Sequence, residues 1–258
     1  MIRIIRQFYE GRFLLSELIR MGIRLKYRRS YLGVAWSLIE PLMTTALLVV
    51  IFGTILGNRE PSFSVYVICG RVIYSYFSES TKAAGRSIRG NAGMIRKVYV
   101  PKHFYPVAEV LWHYTVFLIS LIAVAAVAVY ARIVPTIRIL HVIPALFYLL
   151  VLSIGTGLVI TTLNVFFRDT EYLWNVLLML IMYMCAIFYY PERLLETSFG
   201  VLLKYNPLYC IIALFRCGIL GTPASGFLYT YPAVASAVIL AIGIVMFHRH
   251  QDSFILYI

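Results

Sequence analysis

The sequence predicts an all-α integral membrane protein with six transmembrane helices, an N-terminal amphipathic interfacial helix and an outer re-entrant helical hairpin between the fifth and sixth spans. Three observations predict it. Of 258 residues, 61% are hydrophobic and only 13% charged, whereas soluble domains carry about a quarter charged residues and less than half apolar ones. The apolar residues gather in six runs long enough to cross a bilayer. The basic residues collect at alternate ends of those runs, as topology signals do.

The first 33 residues are basic and amphipathic, without the continuous apolar core of a cleavable signal peptide. Arg20, Arg24 and Arg28 recur every four residues, so a helix aligns them on one face. Phe8, Leu14, Leu15, Leu18 and Leu25 supply the apolar counterpart. Such a helix lies in the inner headgroup layer, and Gly33 then lets the chain turn into the first span.

The six runs cover 34–56, 63–80, 106–130, 142–167, 173–190 and 227–247. About 20 helical residues, at roughly 1.5 Å each, cross the ~30 Å of hydrocarbon; the second and fifth runs are near that minimum. With the N-terminus inside, sixteen Lys and Arg fall on inner segments and six on outer ones, so both termini are expected in the cytoplasm. The whole chain, 1–258, reads as one transmembrane domain. Residues 1–33 form the interfacial helix, 34–190 hold spans one to five with an inner region at 81–105, and 227–258 hold the last span and tail. Residues 191–226 are too apolar for a solvated loop and carry two short apolar stretches either side of Asn206-Pro207. Two half-helices that dip in and return fit those lengths; a seventh, broken span is the alternative and would place the C-terminus outside.

Several chemistries lack their residues. No paired-carboxylate motif and no G-x-x-x-x-G-K-[ST] loop occurs. His248-x-His250 reads as an interfacial pair, with a metal site as the alternative, and no metal is expected. Gly155-Thr156-Gly157 is too short to cradle phosphate and suits close helix packing. Cys69, Cys185, Cys210 and Cys217 read as small apolar fillers, a Cys210–Cys217 disulfide being the alternative. The net charge of +12 sits at span ends, so it points to phospholipid and not to nucleic acid. Gradient-driven transport usually leaves ionisable groups at mid-depth. Arg71 is the strong candidate, and arginine does not give up its proton. The balance favours a transport subunit powered by a partner. Within 81–105, Asn91 and Met94-Ile95-Arg96-Lys97 predict a short amphipathic helix stopped by Pro101 and Pro106. It suits a groove on a soluble protein; a solvated loop with topogenic charge is the bland alternative.

Four stretches then carry a resemblance over essentially the whole chain: YRRSYLGVAWSLIEP at 27–41, NAGMIRKVYVPKHFYP at 91–106, NVFFRD at 164–169 and NPLYCIIALFR at 206–216. In order, they resemble the membrane subunit of ABC-type polysaccharide exporters, which move O-antigen, capsule and wall teichoic acid chains. The resemblance implies two copies of this chain in a bacterial cytoplasmic (inner) membrane. It also implies a separate pair of ATPase subunits holding ATP and Mg, with no cofactor in this chain, and a polyprenyl-diphosphate-linked glycan as substrate. It assigns ATPase coupling to Asn91, Met94, Ile95, Arg96, Lys97, Val98, Tyr99 and Pro101. Arg24, Arg28 and Arg29 fall at diphosphate depth, where guanidinium groups pair well with phosphate, although anchoring to anionic lipid explains them equally.

A glycan needs a continuous tunnel, because stripping water from each hydroxyl without replacement costs several kcal/mol. Aromatic faces let sugars slide, and the chain has 20 Tyr and 16 Phe. The expected conduit lining is Trp36, Glu40, Arg71, Tyr183, Phe188 and Tyr189, and the expected gate is Tyr190, Asn206 and Pro207. For the aromatic residues, an interfacial belt is the alternative. Arg71 departs from the family's apolar pattern in the second span; it reads as snorkelling or acid-paired, or as a contact for an anionic substrate. Two other functions stay open: a multi-pass enzyme of lipid-linked sugar metabolism, and an ABC exporter of small drugs or lipids.

Overall fold

The computed structural model describes residues 11–28, 30–55, 61–97, 100–191 and 200–257, and among them every regular element is helical. Phe8, Arg29, Val98 and Tyr99, and 192–199 of the proposed gate region, lie outside the described residues.

Helix α1, Arg12–Tyr27, lies against the bundle with one face and buries no residue completely. A single 3-10 turn, Gly33–Ala35, leads from it into α2, Trp36–Ile55. Gly33 takes φ +49 at that turn, where a side chain would be strained. Pro41 sits inside α2 and brings no N–H, so the carbonyl of Ser37 loses its helical donor.

Helix α3, Pro61–Gly90, is the longest element, about 45 Å at ~1.5 Å per residue. Val65, Ile68, Cys69, Ile73 and Ala84 are fully or almost fully buried along it, which makes it a central strut. The expected inner loop therefore begins as ten further residues of the same helix. After the short α4, Ala92–Ile95, come α5, Phe104–Tyr130, and α6, Val142–Phe166. Helix α7, Thr170–Tyr183, is followed by α8, Gly200–Lys204, α9, Pro207–Leu220, and α10, Phe227–His250. A final turn, α11, spans Phe254–Tyr257.

Glycine sets the tightest crossings. A Cβ on Gly155 of α6 would sit 2.6 Å from the Leu240 backbone nitrogen, and one on Gly243 of α10 would sit 2.5 Å from the Gly155 carbonyl oxygen. Only a residue without a side chain allows that approach, the usual small-residue device of membrane helices. On its other side α6 meets α3, where a Gly157 Cβ would come 3.1 Å from Ala84 Cβ. Thr161 Oγ1 donates to the Ala84 carbonyl at 2.7 Å, and Asn164 Nδ2 donates to the Gly85 carbonyl at 2.7 Å. Arg89 Nη1 in turn donates to Asn164 Oδ1 at 3.2 Å. The Asn of the NVFFRD stretch thus ties α6 to α3.

Among the described residues, four stretches are long and apolar enough to cross a membrane: Gly33–Ile51, Phe104–Tyr130, Ile137–Phe166 and Phe227–Ser253. The six expected runs differ from these at two places. Helix α3 has the length, but its buried face carries serines and tyrosines, and Arg71 and Glu79 fall within 63–80. Helix α7 stops after 14 residues, about 21 Å, because the chain unwinds at Met184 and Ala186 takes φ +46. Large apolar side chains cover the outward faces of α2 (Met43, Leu47, Val50) and α7 (Leu173, Val176, Leu180), as hydrocarbon surroundings require.

Just before α5, His103 is held neutral. Burial pushes its pKa from 6.5 down to about 4, with a smaller push from His248. The folded state then binds fewer protons than the unfolded state between those values. Its stability is complete above pH ~6.5 and falls as pH drops toward 4. Thermal unfolding in detergent across that range is expected to show the loss, and His103→Gln to flatten it.

Candidate functional site

Two recesses lie near α1. Gly22 faces the Trp112 ring so closely that a Cβ would meet its Cδ1 at 2.6 Å, which seats α1 directly on α5. Lys26 Nζ pairs with Glu79 Oε2 of α3 at 3.3 Å and lies 5.5 Å from the Trp112 ring centre. Trp112 Nε1 donates to Glu109 Oε2 at 2.6 Å, fixing the indole under the lysine. Both partners of the ion pair are well exposed, so it adds less than about 1 kcal/mol, and the glycine–indole fit does more to seat the helix.

Beneath this seat lies a cavity of about 100 Å³ whose walls include Lys26, Trp36, Glu40, Arg71, Glu79 and His113. Charges of both signs, hydroxyls and an indole edge surround it. This lining hydrogen-bonds and stacks, unlike a pocket for hydrocarbon alone. Trp36, Glu40 and Arg71, three of the residues expected to line a conduit, meet here. Lys26, Glu79 and His113 were not expected, because nothing in a single sequence links residues 53 positions apart such as Lys26 and Glu79.

The second recess is a groove of about 890 Å³ between α1 and α4, with Leu14, Leu18 and Met21 beside Arg24, Arg28 and Met94. It brings two of the expected headgroup arginines to one of the expected coupling residues. Helix α4 has a single turn. Met94 is 44% exposed, while Ile95 leans on the apolar cluster around Ile88 and Phe254. Arg96 and Lys97 continue as an exposed turn. Asn91 does not cap α4. Its Nδ2 donates to the Ser87 carbonyl at 2.7 Å, so it closes the C-terminal end of α3. The Pro101 carbonyl accepts the Phe104 N–H at 3.0 Å and starts α5.

The remaining expected residues gather at the opposite end of the bundle, around the unwound segment that follows α7. Tyr183 is 55% exposed and its carbonyl accepts the Tyr189 hydroxyl at 2.6 Å. Phe188, expected on a conduit wall, is only 8% exposed and packs into the main core, leaving little surface for a ligand. Tyr190 lies 4.8 Å from the Tyr66 ring, centre to centre. Asn206 caps α9, accepting the N–H groups of Leu208 and Tyr209, while its Nδ2 donates to the Met184 carbonyl at 3.3 Å. Pro207 occupies the first helical position, where its fixed φ suits a helix start.

Arg216 of α9 was expected only as an outer-segment charge, yet it is buried, with 4% of its surface exposed. Its Nε donates to the Tyr66 carbonyl and its Nη1 to the Ala186 carbonyl, both at 3.0 Å. The signal that finds it is a lone arginine inside the apolar run CIIALFRCGIL, the pattern of an intramembrane charge with a task. All four cysteines are free, including Cys210 and Cys217. Among the described residues no group of three or more His, Cys, Asp or Glu is placed to hold a metal ion.

The sequence is similar to those of proteins already known. The chain is 24% identical over 246 residues to an O-antigen export system permease protein RfbA of Klebsiella pneumoniae, covering 93% of each chain. It is 23% identical over 217 residues to the RfbA permease protein of Myxococcus xanthus, covering 84% of each. It is 24% identical over 238 residues to the polysialic acid transport protein KpsM of Escherichia coli, covering 90% of this chain and 91% of the relative. Residues 14–220 match the ABC-2 type transporter family, a match reaching from α1 through α9. The chain therefore belongs to the ABC-2 type transporter family and is a membrane permease subunit, a transporter component and not an enzyme.

Proposed function

We propose that the chain is the membrane subunit of an ATP-driven exporter that carries a polyprenyl-diphosphate-linked polysaccharide of the O-antigen, capsule or teichoic acid type across the bacterial cytoplasmic membrane. Two copies work with a pair of ATPase subunits, which hold ATP and Mg, and both termini are cytoplasmic. The relatives named for O-antigen export and polysialic acid transport support the substrate class. In this reading α3 and α7 complete six crossings, and α8 and α9 form the re-entrant hairpin at the outer face.

One observation carries the reading furthest: the groove that joins Arg24 and Arg28 to Met94. Its apolar floor suits a polyprenyl tail, and guanidinium groups at its rim suit a diphosphate. Met94 presents the surface on which an ATPase stroke would arrive. The cavity beneath, with Trp36, Glu40 and Arg71, then offers hydrogen bonds and an aromatic face to the first sugars. Tyr183 and Tyr189 belong to the far end of the same path.

The test is reconstitution of this chain with its ATPase in vesicles carrying a polyprenyl-diphosphate glycan on the outer leaflet, where the ATPase is accessible. ATP is expected to drive the glycan into the lumen, and charge reversal of Arg24 and Arg28 to reduce transport at least tenfold with assembly unchanged. Turnover of lipid-linked sugar by the isolated subunit would overturn the proposal. So would ATPase activity stimulated by small drugs and indifferent to glycan.

A further inference from the structure

The unwound segment after α7 exposes carbonyls that a helix would have satisfied internally. Where backbone leaves helical form at membrane depth, other donors must replace the lost bonds. Three side chains from distant positions do so here. Tyr66 Oη donates to the Ala186 carbonyl at 3.0 Å and to the Tyr189 carbonyl at 3.1 Å. Asn206 Nδ2 donates to the Met184 carbonyl. Arg216 Nη1 takes the Ala186 carbonyl from the other side, and its guanidinium lies 3.4 Å over the Tyr66 ring.

Arg216 is an unusual choice for such a clamp. A buried guanidinium needs compensation, yet no carboxylate among the described residues pairs with it, and its Nη2 has no hydrogen-bond partner among them. Nη2 occupies the space left by the absent side chain of Gly70, where a Cβ would stand 2.6 Å from it. A purely structural link between helices would be better served by apolar packing. What the arginine provides is a two-sided connection, Nε to the Tyr66 carbonyl of α3 and Nη1 to the carbonyl of Ala186, itself held at φ +46.

The same helix α3 continues without a break to Gly90, next to α4. From Tyr66 to Gly90 it forms a rod of about 36 Å. We infer that Arg216 is the positioning residue through which α3 sets the unwound segment 184–190 as a constriction, so that displacement at α4 reaches the opposite end of the bundle through the α3–Arg216–Ala186 connection. The Tyr183–Tyr189 pair and Tyr190 ride on that segment and move with it. The inference rests on the export reading for the existence of a conduit, but its test needs no glycan.

Vesicles loaded with carboxyfluorescein and carrying the full complex with its ATPase report the constriction directly. Gly70→Ala pushes Nη2 aside without removing any charge, and Tyr66→Phe removes the one hydroxyl shared by the Ala186 and Tyr189 carbonyls while keeping the ring beneath the guanidinium. Both are expected to raise passive dye leak at least fivefold in complexes that assemble normally. Arg216→Gln is expected to leak more, and Arg216→Lys, which retains a cation and one donor, to restore part of the seal. Val134→Ala, at an exposed position between α5 and α6, is the control. A role confined to stability would lower the melting temperature and leave the vesicles tight. If Arg216→Gln does not accumulate, the first two variants decide. Wild-type leak from assembled Gly70→Ala and Tyr66→Phe complexes overturns the inference whether or not the complex exports glycan.

Discussion

Gly155→Val is expected to leave almost no folded protein extractable in mild detergent. Overpacking a core typically costs about 1–3 kcal/mol, and this site belongs at or beyond the upper end. The new atoms would meet the Leu240 nitrogen at 2.6 Å and its Cα at 2.7 Å, and these are backbone atoms that no rotamer change can move aside. Relief requires separating α6 from α10, and α6 also carries the contacts of Gly157, Thr161 and Asn164 with α3. Gly90→Ala, where nothing lies within 4 Å, should change the melting temperature little. Monodisperse elution of Gly155→Val at the wild-type melting temperature would show that the crossing is looser than described.

Met94→Asp is expected to reduce polymer at the cell surface at least tenfold while the subunit still inserts and folds. Met94 is exposed and on the groove wall, so the fold does not depend on it, and in the export reading a carboxylate there would have to be stripped of water when the ATPase docks. Ile95→Asp is a poorer probe, because Ile95 supports the cluster around Ile88 and Phe254 and its replacement would mix coupling with stability. Surface polymer and subunit abundance, measured together, separate these effects. Wild-type export from Met94→Asp would remove α4 from the coupling pathway.

Much of the fold is legible because membrane helices declare themselves through local composition. The spans at α2, α5, α6 and α10 follow directly from hydropathy, and Gly155-Thr156-Gly157 reads correctly as a packing device. Its partner Gly243 does not announce itself, since a lone glycine in an apolar run has no signature of what it faces. The end of α7 is illegible for a clearer reason. Residues 184–190 are as apolar as those before them, and the helix stops where donors from positions 66, 206 and 216 capture their carbonyls. Trp36, Glu40 and Arg71 stand out as polar or amphipathic groups in apolar surroundings. That they share a cavity depends on how α1, α2, α3 and α5 meet, which is tertiary information. Asn91 looks like a start signal for α4 and serves as a stop for α3, because the same amide geometry suits either end of a helix.

The helix that follows the Gly33 turn differs from the other three long apolar helices in how little it is enclosed. Only 11% of the apolar window of α2 is buried, against 39% in α5 and 44% in α6. Tilting α2 about its glycine-bearing base would therefore part few interlocked side chains and leave both tight crossings of α6 untouched. Sideways access from the bilayer to the Trp36–Arg71 hollow is consequently less costly past α2 than past α5 or α6, and a molecule with a hydrocarbon tail need never draw that tail out of the lipid to reach it.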